Sequence, residues 1–166
     1  MSAAEPYILF ELADAVYGLR SRDVLHVDML DHVTPVPNTA PAVEGIVFSR
    51  GQVVPALNLR RRFGLPAQAP TSRTRLIFVQ LRQRTVAFIV DAAREFRAIP
   101  ATAVRPIGET LLGISGNYVQ GVATVADRLV LLLDVVAVLN LDDEAGLIPA
   151  SPASPPASPA SPASAS

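Results

Sequence analysis

The sequence predicts an all-β fold, and three observations carry that prediction. Short apolar runs rich in β-branched residues recur, turn residues separate them at close intervals, and one stretch of the chain occurs twice. The strand runs are Tyr7 to Leu12, Gln52 to Leu57, Leu76 to Leu81 and Thr85 to Val90, each long enough for one pass of a small sheet. Turn chemistry stands at Ala13-Asp14, Ser49-Arg50-Gly51, Arg82-Gln83 and Ala126-Asp127. This is the rhythm of small barrels, not of a parallel sheet with crossover helices.

Helical signals are brief. Asn38 offers a cap and Pro41 an early helical residue, so a short helix is expected over 38–44, stopped by Gly45. Leu57 to Phe63 predicts two turns closed by Gly64 and Pro66, and Asp134 to Leu141 predicts a third helix with Asp134 as its cap.

The duplicated stretch runs Gly45 to Leu59 and again Gly121 to Val135, without gaps. Both read Gly, strand, turn, strand, Asx, helix, and the Gly-to-Asx interval is the same in each. Each is preceded by a strand pair, beginning near Tyr7 and near Arg75. The copies lie farther apart than the roughly 20 to 50 residues of a solenoid repeat, so two related half-domains are implied.

With 166 residues, half of them hydrophobic, the chain is long enough to close one core. Its 14 basic and 15 acidic residues leave a net charge of −1, so no broad field draws it to nucleic acid or anionic lipid. Cysteine is absent, which removes disulfides, thiolate metal sites and a Cys nucleophile and fits the cytoplasm. The first six residues carry Glu5 and no basic segment before an apolar one, so they do not read as a secretory signal. The run Leu129 to Leu139 is broken by Asp134 and falls short of the roughly 20 residues of a membrane helix. Residues 148–166, almost all Pro, Ala and Ser, predict a disordered or polyproline-like tether.

Catalytic chemistry finds little footing. The two histidines, His26 and His32, stand near no nucleophile motif, and Ser49 lacks the Gly-x-Ser-x-Gly elbow. Gly108, Gly113, Gly116 and Gly121 do not form a phosphate loop, and the Asp142-Asp143-Glu144 run lacks the ligand spacing of a calcium site. No metal, cofactor or catalytic residue is therefore assigned. Arg60-Arg61-Arg62, with Arg73 and Arg75, is a local basic cluster, but the near-neutral charge and the strand setting of most aromatics weigh against nucleic acid.

Taken in order, Phe10-Glu11-Leu12, Tyr17-Gly18, Val36-Pro37, Glu44-Gly45, Arg50-Gly51, Val53-Val54-Pro55, Leu57-Asn58-Leu59-Arg60, Val90-Asp91 and Leu131-Leu132-Leu133-Asp134 resemble the CheW family, from about Tyr7 to Leu141. The stretch Pro37 to Arg60 carries most of the likeness. The resemblance implies two intertwined SH3-like barrels of about five strands each. It places a CheW-like domain over 1–147, the first barrel near 17–70 and the second near 71–134, with an N-terminal strand and a C-terminal helix packed on them. It also implies a non-catalytic adaptor that couples chemoreceptor cytoplasmic tips to the regulatory domain of a CheA-type histidine kinase, with other CheW-like proteins as further partners, at receptor arrays in the cytoplasm.

Matching positions imply that Val24, His26, Val36, Gly45, Val47, Phe48 and Arg50 belong to or border the partner-binding surface. Arg50 could fork onto a carboxylate. Two of these positions depart from the family pattern: Phe48-Ser49 stands where Asn-Leu is usual, and His26 where Glu is usual. The alternative is accordingly an accessory CheW-like paralogue that meets receptors or other adaptors without the usual kinase contact.

Overall fold

The computed structural model describes residues 4–106 and 118–139. The Pro-Ala-Ser tail, the acidic run 142–144, the glycines 108, 113 and 116 and the end of the last helix lie outside the described residues.

Eleven strands are described: β1 (Ala4–Leu12), β2 (Ala15–Arg20), β3 (Val24–Met29), β4 (Val43–Ser49), β5 (Gln52–Asn58), β6 (Arg75–Leu81), β7 (Arg84–Val90), β8 (Ala92–Pro100), β9 (Val104–Arg105), β10 (Val119–Val125) and β11 (Arg128–Leu133). Two short helices, α1 (Leu59–Arg62) and α2 (Val135–Leu139), follow β5 and β11. Strands β3-β6-β7-β5-β4 form one sheet, here barrel I, and β8-β1-β2-β11-β10-β9 form the other, barrel II.

The duplication is visible in geometry. Register shifts fall between Val43 and Gly45 in β4 and between Val119 and Gly121 in β10. The hairpin turns carry left-handed residues at Arg50 and Gly51 and again at Ala126 and Asp127. β5 lies parallel to β7, and β11 parallel to β2.

The halves exchange strands. Hairpin β6–β7, placed by sequence in the second barrel, completes the sheet of β3–β5, and hairpin β1–β2 joins β8–β11. Residue 70 is therefore no boundary between the sheets. Each exchanged strand is buried on both faces: Ile77 and Val79 point into the core between the barrels, while Leu76 and Phe78 fill barrel I. In β1, Ile8, Phe10 and Leu12 enter the same central core and Tyr7 and Leu9 fill barrel II. Two buried faces explain why these strands read as continuous apolar runs instead of alternating ones.

The expected helix over 38–44 does not form. Asn38 is left-handed at φ 64, the Val43 amide donates to the Ala40 carbonyl in a turn, and Val43 already belongs to β4. The alternating inward positions Val43, Gly45 and Val47 win over the capping signal because they complete the barrel wall. Gly45 is thus no helix stop. A Cβ there would sit 2.2 Å from the Thr34 carbonyl oxygen, which accepts the Ile46 amide at 2.8 Å while the Thr34 amide donates to the Ile46 carbonyl at 2.8 Å. The helix after β5 forms in a shortened version and the one after β11 is helical over its described residues, with Asn58 Oδ1 accepting from the Arg61 amide and Asp134 Oδ1 from the Val136 amide.

Candidate protein-docking surface

Period-two alternation decides which side chains of the β4–β5 hairpin meet solvent. Val47, Val54 and Ala56 turn inward and are buried in barrel I. Phe48 and Val53 are cross-strand partners on the outer face, 75% and 58% exposed, next to the Ile46–Pro55 pair. An aromatic ring held open to water on a rigid hairpin costs solvation free energy without helping the fold, which makes this face the candidate for a docking surface.

Beside the hairpin lies a groove of about 540 Å³. Its position follows from topology: β3 and β4 are the two edges of barrel I, and the Thr34–Ile46 bridge ties the segment after β3 to β4. Val47, Leu76 and Phe78 line its floor, Met29 and Phe48 its lips, and Asp28 and Asp31 its rim. Met29 is 65% exposed.

His26 is opposite Phe78 across the β3–β6 ladder, and the rings stack at 4.3 Å with a 17° interplanar angle. Its Nε2 is enclosed without a hydrogen-bond partner, 3.9 Å from Asp28 Oδ2, too long for a hydrogen bond. Burial and then the charge of Arg50 push the imidazole below its ordinary pKa, and Asp28 pulls it back only in part. His26 therefore contributes a neutral ring near neutral pH.

Of the seven residues singled out from the sequence, Phe48 and Arg50 are exposed on the hairpin, and His26 borders it. Val47 is core and meets the groove only as floor, and Gly45 is buried. Val24 packs against the central core beside the β3 bulge, and Val36 is half-buried in the loop before β4. Met29 and Val53 were missed; alternation from Phe48 through the turn would have found Val53, but nothing local marks Met29.

The arginine cluster is tied into the fold. Arg60 pairs with Asp91, Arg61 lies 3.4 Å from Glu44, and buried Arg62 donates to the Val138 carbonyl while covering the Tyr118 ring. Among the described residues no group of three or more His, Asp or Glu side chains is arranged to hold a metal, and no helix is long and apolar enough to cross a membrane.

Comparison with known proteins agrees with this architecture. The family model for the CheW-like domain matches residues 6–143. Chemotaxis protein CheW of Helicobacter pylori is 32% identical over 82% of this chain and 82% of its own, and that of Klebsiella aerogenes 25% identical over 87% of each. Protein FrzA of Myxococcus xanthus is 32% identical over 68% of this chain and 77% of its own. The crystal structure of scaffolding protein TtCheW from Thermoanaerobacter tengcongensis matches with a TM-score of 0.78 at 26% identity, covering 85% of this chain and 96% of that one. A family match over most of the chain, on two interlocked barrels, means that the protein belongs to the CheW-like family, whose members are scaffolds and adaptors, not enzymes.

Proposed function

We propose that this protein is a non-catalytic adaptor that couples the cytoplasmic tips of chemoreceptors to the regulatory domain of a CheA-type histidine kinase, working in the cytoplasm at receptor arrays. The observation that carries this reading is the open Phe48–Val53 face beside an apolar groove, on the fold of a chemotaxis scaffold. A receptor tip is a helical hairpin, and an apolar groove with a polar rim suits a helix laid along it. The exposure of Arg50 at the hairpin turn supports this reading, because a guanidinium there is free to fork onto a carboxylate or the carbonyls of a helix end.

Pull-down and titration against the receptor tip and kinase regulatory domain encoded with this protein test the proposal. Phe48→Asp or Arg50→Ala is expected to weaken at least one of these partners about tenfold or more. Unchanged affinity for both, or no binding by the unaltered chain, overturns it.

A second reading follows from Phe48-Ser49 and His26, which replace Asn-Leu and Glu of the family pattern and make this face more apolar and less negative. In that reading the chain meets receptors or other adaptors without the usual kinase contact. Recovery of kinase capture by His26→Glu combined with Phe48→Asn, from a chain that otherwise captures receptor alone, favours it.

A further inference from the structure

Of the four edge strands described, β8 has the longest open edge. It spans nine residues, against seven in β4, six in β3 and two in β9. Five consecutive residues, Arg94 to Ala98, are exposed, so both faces of the strand meet solvent there. Its inner side is bonded to β1, and its outward N–H and C=O groups face no other strand among the described residues. Such edges are ordinarily guarded by short length, by a central proline or by charges that repel an approaching strand. In β8 the proline, Pro100, stands only at the end, and the charges are ordered to attract.

That order is Arg94-Glu95-Phe96-Arg97-Ala98. Leu9 faces Glu95 while Phe10 faces Ala93, so Arg94 is the extra residue of a bulge and regular strand resumes at Glu95. From there side chains alternate. Glu95 and Arg97 share one face and pair at 2.8 Å, an exposed contact that costs little to rearrange, and Phe96 stands on the other face, 67% exposed. When two copies of one edge meet antiparallel about a two-fold axis, one residue must face its own copy. An axis at Arg94, Glu95 or Arg97 sets like charges directly against each other, which is destabilising. An axis at Ala98 sets Arg97 against Ile99, which is buried, and pairs no charge. An axis at Phe96 sets Glu95 against Arg97 of the second copy, Arg97 against its Glu95, and ring against ring.

We propose that two copies of this chain pair through β8, antiparallel about a two-fold axis at Phe96, joining their six-stranded sheets edge to edge. The occupant is a second copy because the Glu95-Phe96-Arg97 order, reversed, is its own complement in charge and covers its own exposed ring. The contact is isologous, so association stops at two. An interface of one strand is small and belongs to the weak, transient class, so dimers form where copies are concentrated. Because β4 and β5 lie in the other sheet, the pair presents the Phe48 face twice, which makes one binding module bivalent. This goes beyond the coupling role and does not rest on it.

The chain contains no cysteine, so single cysteines report the register without background. Directly opposed residues of an antiparallel pair have Cα atoms about 4.5 to 5.5 Å apart, within reach of a disulfide. Under mild oxidation Phe96→Cys is expected to form a linked dimer about tenfold or more faster than Gln83→Cys in the exposed β6–β7 turn. Arg94→Cys is expected to cross-link only when mixed with Ala98→Cys. Sedimentation velocity of the full chain over a concentration series is expected to show monomer passing to dimer and no further. Glu95→Arg alone and Arg97→Glu alone should each give monomers with the circular dichroism of the parent, and the two substitutions together in one chain should restore the dimer, because every facing pair again joins opposite charges. A parent that stays monomeric at its highest soluble concentration overturns the proposal. So do growth past the dimer, a double variant that stays monomeric, and a Phe96→Cys rate equal to that of Gln83→Cys. Pull-down of receptor and kinase by the same charge variants reads the coupling role separately, so the two proposals fail independently.

Discussion

Arg60 holds Asp91 through two parallel hydrogen bonds, Nε to Oδ1 at 2.9 Å and Nη2 to Oδ2 at 2.7 Å. The same guanidinium donates to the Pro66 carbonyl and to Gln68, and Asp91 Oδ2 accepts the Ala13 amide from the β1–β2 turn of barrel II. One ion pair thus fastens α1, the end of β7, the segment after α1 and the neighbouring barrel.

Arg60→Ala leaves a largely enclosed carboxylate with one amide donor, so it is expected to cost about 2 to 3 kcal/mol. Arg60→Lys keeps the charge but loses the fork, and recovers only part of that. Urea denaturation midpoints of the two variants measure the difference; equal stability of Arg60→Ala and parent would refute it.

The same pair sets an acid limit. Burial opposes ionisation of Asp91, but the hydrogen bonds from Arg60 and Ala13 outweigh it and hold the carboxyl below its ordinary value. A depressed carboxylate contributes stability that is full above the unfolded value near 3.9 and is lost as pH falls through the folded one. Asp91→Asn is therefore less stable than the parent at neutral pH, and its stability curve is flatter below about pH 4.

His26 works at milder pH. Its lowered pKa means that the unfolded chain binds a proton first, so the parent loses stability as pH falls below about 6.5, until the folded value is passed. In His26→Gln that stretch of the pH–stability curve becomes shallower, which denaturant midpoints at half-unit pH steps will read.

Adjacent residues on β4 should behave oppositely. Phe48→Ala changes stability by less than about 0.5 kcal/mol while weakening partner capture, because its side chain already faces water. Val47→Asp places a carboxylate inside barrel I and is expected to cost about 3 kcal/mol or more, whatever it does to binding.

Glycine positions divide in the same way. Gly45→Ala collides with the Thr34 carbonyl and is expected to cost about 3 kcal/mol by opening the bridge that ties the segment after β3 to β4. Gly51→Ala meets no neighbour within 4 Å, and only its φ of 78° resists, at about 1 kcal/mol. Thermal unfolding of both variants tests the order.

Local signals made much of this legible. Turn residues at Arg50-Gly51 and Ala126-Asp127 mark hairpins because few residues accept left-handed angles, and the Asx caps at 58 and 134 begin helices where expected. The family likeness carried the paired barrels. What escaped was set at long range: which hairpin fills which barrel depends on pairings such as Tyr7 with Arg97, far apart in the chain. Asn38 to Glu44 was misread because a capping pattern is local, whereas burial of Val43 and Val47 is decided by strands yet to come. Of the candidate surface, Phe48 and Arg50 were readable from position, but the exposure of Met29 and Phe96 follows only from their places on edge strands.

The crossed assignment of hairpins also sets a timetable for synthesis. When β3, β4 and β5 leave the ribosome, the strands that complete their sheet have not yet been made, and the β1–β2 hairpin waits still longer, for β8 beside β1 and then β11 beside β2. Folding during translation is thus weighted toward the last third of the domain, and the nascent chain holds Ile8, Phe10 and Leu57 exposed for most of its elongation. A pause or truncation before residue 128 leaves β2 without its parallel partner β11 and the common core without Leu133, Val135 and Val138, which makes incomplete chains natural clients for chaperones and proteases.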